Sequence, residues 1–352
     1  MAEKQIDGAK RQVANWLLLG VAMIVIQVLL GGITRLTESG LSITEWKPVT
    51  GTLPPLNNAE WQTEFDKYKG TDQFRYIHQD FTLRDFKFIF FWEWFHRVWA
   101  RLMGLVFLVG FIYFVATKKL SKSMVTPMVI LFVLGGLQGA VGWLMVKSGL
   151  VPEKYFVGHV ELATHFIMAL LLLAYTLWFA MLLSIPSGKL VKSSSIQRLL
   201  VAIAVLLFVQ LIYGGFMAGL RAAAYAPTWP DINGALIPEN MNTLSPAFQN
   251  LANNPITIHF IHRGLAYLLF LLIIIAWWKS RRISGKAFFR NSWTITMILF
   301  LLQTVLGILT VLNAPYADRM LWLGVSHQFA GMLLTIMITV LLFITRKKVA
   351  YT

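Results

Sequence analysis

Apolar residues gather into eight long stretches, at about 14–33, 90–116, 125–146, 158–184, 196–220, 257–278, 291–312 and 321–345. Each is long enough, at about 1.5 Å per residue, to cross about 30 Å of hydrocarbon as a helix. Polar positions collect between them, in two long connections at 34–89 and 221–256 and in five short ones. The pattern predicts an all-α integral membrane protein with eight transmembrane helices. In the first long connection Trp61, Phe65 and Tyr68 share one face of a short amphipathic helix, fit to lie on the membrane or to cap the bundle. Thr82-x-x-Asp85 matches a capping box that would open the second long helix and carry His96 about 21 Å along it.

The polar residues inside the apolar stretches repeat. The order Gln27-x3-Gly31-Gly32, Trp46, Gly51, His96-Arg97, Gln138-x3-Gly142, His165 returns as Gln210-x3-Gly214-Gly215, Trp229, Gly234, His262-Arg263, Gln303-x3-Gly307, His327. Gln-to-Trp spacing is 19 residues in both copies, His-to-Gln spacing is 42 and 41, and His-to-His spacing is 69 and 65. The chain therefore reads as a duplicated four-helix unit, residues 1–190 and 191–352. Four spans per copy give both copies one orientation, so two bundles related by a pseudo-twofold axis along the membrane normal are expected.

Composition agrees, with 57% hydrophobic and 13% charged residues. The net charge of +15 would suit nucleic acid, but its placement excludes that partner. Basic residues cluster at one set of helix ends, among them Lys10-Arg11, Lys118-Lys119, Lys189, Lys192, Arg281-Arg282, Lys286 and Arg346-Lys347-Lys348. The first long connection instead balances its charges. By the positive-inside rule both termini face the cytoplasm. The short stretch before the first span lacks a presequence pattern, so that span reads as a retained helix of a bacterial plasma (inner) membrane protein. No cysteine is present, which removes thiolate and iron–sulfur chemistry.

The four repeated histidines carry the chemistry. His96, His165, His262 and His327 stand on alternate spans at similar depth, and a metal held by repeated imidazole pairs is the reading that follows. Zinc or a dinuclear centre would recruit carboxylates or thiolates, and only Glu93 and Glu161 lie near these spans. Two imidazoles from facing helices suit a haem iron ligated from both sides, one haem per copy. Arg97 and Arg263 need compensation in a membrane, either from haem propionates or from Glu93 or Glu161. Three residues before the ligand position the first copy has Glu93 and the second His259, which makes the first copy the reaction site and the second the permanent cofactor site. The competing reading of Glu93 is an ion pair with Arg97. His159 and His259 lack counterparts and read as non-ligands, and His78 reads as solvated. Gln27, Gln138, Gln210 and Gln303 read as structural links between helices, and the faces Gly135-Gly136-x2-Gly139-x2-Gly142 and Gly214-Gly215-x3-Gly219 as packing surfaces.

The string Gly31-Gly32-Ile33-Thr34-Arg35-Leu36-Thr37-x-Ser39-Gly40-Leu41-Ser42-x-x-Glu45-Trp46-Lys47-Pro48-x-x-Gly51, with Glu93-x-x-His96-Arg97, Ala163-Thr164-His165, His262-Arg263 and Ser326-His327-Gln328, resembles haem A synthase over nearly the whole chain. The resemblance implies oxidation of the C8 methyl of haem O to the formyl of haem A, for assembly of cytochrome oxidase. It implies His96 and His165 around the substrate haem O, His262 and His327 as axial ligands of haem b, and Glu93 beside the reacting methyl. The chain looks like the cysteine-free branch of that family. A haem O synthase is an expected functional neighbour, the lipid bilayer is the medium, and a homo-oligomer is compatible with the sequence. Two rivals remain at this level: a di-haem b electron-transfer cytochrome linked to quinone, and a transporter, which would need helices interrupted near mid-membrane.

Overall fold

The computed structural model describes residues 2–45, 50–283 and 287–346. Trp46, Lys47 and Pro48 of the loop string, and Lys286, Lys347 and Lys348 of the charge pattern, lie outside the described residues. Among the described residues the regular elements are helices, and the single strand-like feature is one isolated antiparallel bridge, Ile232 with Ala235. In chain order the helices are α1 (Ala2–Leu36), α2 (Asn58–Lys69), α3 (Asp72–Tyr76), α4 (Leu83–Ala116), α5 (Lys122–Gly149), α6 (His159–Ser184), α7 (Ser194–Gly219), α8 (Asn250–Asn253), α9 (Pro255–Ser280), α10 (Ala287–Leu312) and α11 (Ala317–Thr345). Among the described residues, eight of these (α1, α4, α5, α6, α7, α9, α10 and α11) are long and apolar enough to span a membrane. They coincide with the eight predicted stretches, and this is a multi-pass membrane protein.

The start of α4 follows from its cap. Thr82 accepts the Asp85 amide through its hydroxyl, and the Asp85 carboxylate accepts the Thr82 amide at 2.9 Å. Two donors that a helix end would otherwise strand are thereby paired. The helix then runs unbroken through His96. Pro127 lies inside α5 only six positions from its start, well short of mid-span.

Val13, Leu17, Val21, Ile24 and Val28 recur every three or four residues and form one buried stripe on α1, packed with Leu170, Leu173 and Leu177 of α6. A matching core joins Leu200, Ile203 and Leu207 of α7 to Leu269 and Ile273 of α9 and Leu334 and Ile338 of α11. In the first half α1 packs on α4 and α6, and α5 on α6; in the second α7 packs on α9 and α11, and α10 on α11. The halves meet through α6 with α7, α1 with α11, and α6 with α11. These contacts come in corresponding pairs under the sequence repeat.

The two long connections are folded. Phe65 and Tyr68 of α2 bury against Phe86, Ile89 and Phe90 of α4, with Phe65 and Phe86 stacked at 5.0 Å, so the amphipathic helix caps the bundle. His78 is not solvated as its polar neighbourhood suggested. It is 6% exposed, accepts from or donates to Tyr68 Oη at 2.6 Å through Nδ1, and pairs with Glu38 Oε2 at 3.0 Å. Burial, then the charges of Glu38 and Glu93, push the Tyr68 phenol above its ordinary pKa, so it remains a donor in this cluster.

Candidate functional site

His96, His165, His262 and His327 all line one cavity of about 960 Å³, the upper end of the usual range for small-molecule sites. His96 and His165 line it from α4 and α6, and His262 and His327 from α9 and α11. Each ring lies against the glycine that ends a Gln-x3-Gly turn on a neighbouring helix. A Cβ on Gly142 would come within 2.8 Å of His165 Cε1, and one on Gly307 within 2.9 Å of His327 Cε1. At Gly31 and Gly214 the nearest atom, of His96 and His262, would be 3.4 Å away.

The glutamine one turn earlier reaches the same histidine. Gln27 Nε2 donates to His96 O at 3.2 Å, and Gln138 Nε2 to His165 O at 3.1 Å and its Nδ1 at 3.2 Å. Gln210 and Gln303 donate to Nε2 of His262 and His327, each at 3.3 Å. The four glutamines do link helices, as expected, and the residues they hold are the four cavity histidines. Their Oε1 atoms, and Nδ1 of His262 and His327, are buried without a hydrogen-bond partner. Buried polar atoms are nearly always paired, so this concentration of orphans marks a ligand site rather than a packed core. Among the described residues no three His, Asp or Glu side chains converge to cage a bare metal ion. Imidazoles offered in pairs from facing helices fit a planar iron porphyrin.

Beside the histidines, charged groups fasten the two long connections. Glu93 is 2% exposed; its Oε2 accepts from Ser42 Oγ at 2.7 Å and Ile43 N at 2.8 Å, and its Oε1 from Arg97 at 2.5 Å. Arg97 also donates to Ile43 O at 3.2 Å. In the second half Arg263 donates to His259 Nε2 at 2.9 Å, Thr228 O at 2.6 Å and Asp231 O at 2.7 Å. Each arginine thus ties its own half's loop down over the cavity. His259 accepts from Arg263, while His159 sits edge-on to Phe216 at 5.8 Å and backs onto Gly219.

Across the halves, equivalent residues meet one another. The repeat that carries Gln27 to Gln210 carries Arg35 to Ala218 and Glu38 to Arg221. Arg35 donates to the Ala218 carbonyl, and Arg221 pairs with Glu38 at 2.6 Å. Both Glu38 and Arg221 are left-handed, at φ of 58° and 54°, as equivalent turns require. Burial alone would raise the Glu38 pKa, but the His78 hydrogen bond and Arg221 outweigh it and hold it below the ordinary range.

The sequence family of cytochrome oxidase assembly proteins (COX15-CtaA) matches residues 14–339. The chain belongs to that family. Similar members include a haem A synthase of Parvibaculum lavamentivorans, 39% identical over 332 residues that cover 94% of this chain and 93% of the relative. A haem A synthase of Flavobacterium psychrophilum is 40% identical over 331 residues, 92% and 95% of the two chains. One of Paracoccus denitrificans is 37% identical over 332 residues, 93% and 86%.

The histidines, Glu93 and both arginines named from the sequence all line this cavity, and Ser42, Glu38 and Arg221, which sequence reasoning did not single out, join their hydrogen-bond and ion-pair network. Their signal was the Gln27-to-Gln210 offset, which sets Glu38 against a residue of opposite charge. The packing role given to the glycines holds for Gly215, which backs onto Ala163, and for Gly219. It fails for Gly135, Gly136 and Gly139, which meet no atom within 4 Å and line the cavity instead.

Proposed function

We propose that this protein is a haem A synthase, an oxidoreductase of the plasma membrane that converts the C8 methyl of haem O into the formyl of haem A. The observation that carries the reading is the set of four histidine rings, each seated on a glycine of its own, along one cavity in a chain of this family. His96 and His165 would hold the substrate haem in residues 1–190, and His262 and His327 would hold a haem b in 191–352. Bound there, haem b supplies one-electron redox chemistry. Arg97 and Arg263, which line the cavity on its loop side, face the propionates.

Turning the methyl into a formyl, by way of an alcohol and a hydrated aldehyde that loses water, is a four-electron oxidation whose electrons would pass to an external acceptor. Glu93 serves that change as a fixed anion. Three donors hold its two oxygens in place, an arrangement that suits stabilising positive charge at the oxidised carbon. His259, the equivalent residue, offers Arg263 a ring nitrogen and no such charge. That contrast supports catalysis in the first half. The paired helix contacts and the Glu38–Arg221 meeting support a pseudo-twofold relation of the halves, and the charge pattern supports cytoplasmic termini. A purely electron-transferring di-haem cytochrome gains no support from the family, and the continuous spans give none to a transporter.

The test is conversion. Cells expressing the protein with a haem O source should yield haem A on pigment extraction, identified by chromatography and mass; intact protein that leaves haem O unchanged overturns the proposal.

A further inference from the structure

The two halves differ where α4 meets α5 and where α9 meets α10. The His96-to-His262 step of 166 residues carries Gly104 to Phe270, and the Gln138-to-Gln303 step of 165 carries Gly135 to Phe300. In the second half those phenylalanines touch, with ring centroids 5.6 Å apart, and Phe300 is 4% exposed. They bridge α9 and α10, which also pack backbone to backbone. In the first half both positions are glycine, and a Cβ on either would meet nothing within 4 Å. Among the described residues the α4 and α5 backbones scarcely approach one another, and their bridging contact, Phe107 with Phe132 at 6.3 Å, lies further along both helices toward the Ala116 end of α4. Gly104 and Gly135 line the same cavity as His96 and His165, and so does Gln138, whose Oε1 is buried without a partner.

We infer that the gap at Gly104 and Gly135 receives the isoprenoid tail of the substrate haem, and that Phe270 and Phe300 bar such a tail from the second half. This rests on the function proposed above and adds how each half selects its haem. Haem O and haem b share the ring, the propionates and the iron, so histidines and arginines cannot tell them apart. Only the long apolar tail differs, and it has to leave the ring's plane through a wall that gives onto lipid. A wall of bare backbone at ring level leaves that path; a pair of touching, tilted aromatic rings at the same level closes it. Continuity of the gap with the histidine pair makes the substrate's own tail its occupant rather than a bilayer lipid.

Protein purified with its resident haem is titrated with a second equivalent of haem O or of haem b, followed by absorbance. In Gly104→Phe/Gly135→Phe, haem O should bind about tenfold more weakly while haem b changes by less than about twofold. Equal weakening of both haems, or undiminished haem O binding, overturns the inference. The reciprocal Phe270→Gly/Phe300→Gly protein, loaded in the presence of both haems, should retain haem O in both halves; extracted pigment with haem b still filling the second half overturns it as well. Wild-type protein that binds haem O in this gap-dependent way but never converts it defeats the proposed function and leaves the tail site standing. Conversion with no dependence on the gap does the reverse.

Discussion

At the residue scale the decisive group is Glu93. A carboxylate 2% exposed inside a membrane helix is costly unless it is fully paired, and here Arg97, Ser42 Oγ and the Ile43 amide supply that pairing. The ion pair with Arg97 and the proposed catalytic role are therefore not alternatives: the pair holds the charge in place. Glu93→Gln keeps the shape and removes the charge. It should lower haem A formation by about 100-fold or more while the haem b spectrum of the purified protein stays at wild-type intensity. Unimpaired conversion by this variant would move the reaction away from Glu93. His78 illustrates what the sequence hid at this scale. Its partners, Glu38 and Tyr68, stand 40 and 10 residues away, and nothing local to a polar stretch announces them.

At the element scale the recurring device is a Gln-x3-Gly turn on one helix set against a histidine on another. The spans themselves were legible because length and hydropathy suffice to define them, and the capping box of α4 because its four residues are local. The cradle was legible only as a repeated motif, since which histidine faces which glycine depends on helix rotation and crossing. Clearance differs around the four copies, and that difference is testable. A methyl on Gly307 would press on His327 at 2.9 Å, whereas one on Gly214 would meet His262 at an almost ordinary 3.4 Å. Overpacking of this kind costs about 1–3 kcal/mol, or about tenfold or more in affinity. Gly307→Ala should accordingly lose haem b on purification, and Gly214→Ala should keep most of it, as read from the absorbance per chain. Equal retention by the two variants would mean that the rings have room to move and that the glycines are incidental.

For the whole molecule, the repeat predicted two like halves, and the structure adds how they are joined. The join could not be read from composition or spacing alone, because a contact between a residue and its own counterpart exists only once the halves are docked. Arg221 and Glu38 form that contact where the two long connections begin, with His78 and Tyr68 behind it. The pair is partly exposed, 44% and 25%, so a coupling of about 1 kcal/mol is the scale to expect. A thermal-unfolding cycle of Glu38→Gln, Arg221→Met and the double variant in detergent measures it. Because the folded Glu38 pKa is depressed, its contribution is complete above the ordinary value of 4.5 and drains away as pH falls through the lower folded value. The cycle should therefore show coupling near neutral pH and progressively less in acid below 4.5, and Arg221→Met should flatten the wild-type acid sensitivity. Coupling that persists unchanged in acid, or is absent at neutral pH, would place the join elsewhere, in the apolar contacts of α1 and α6 with α7 and α11.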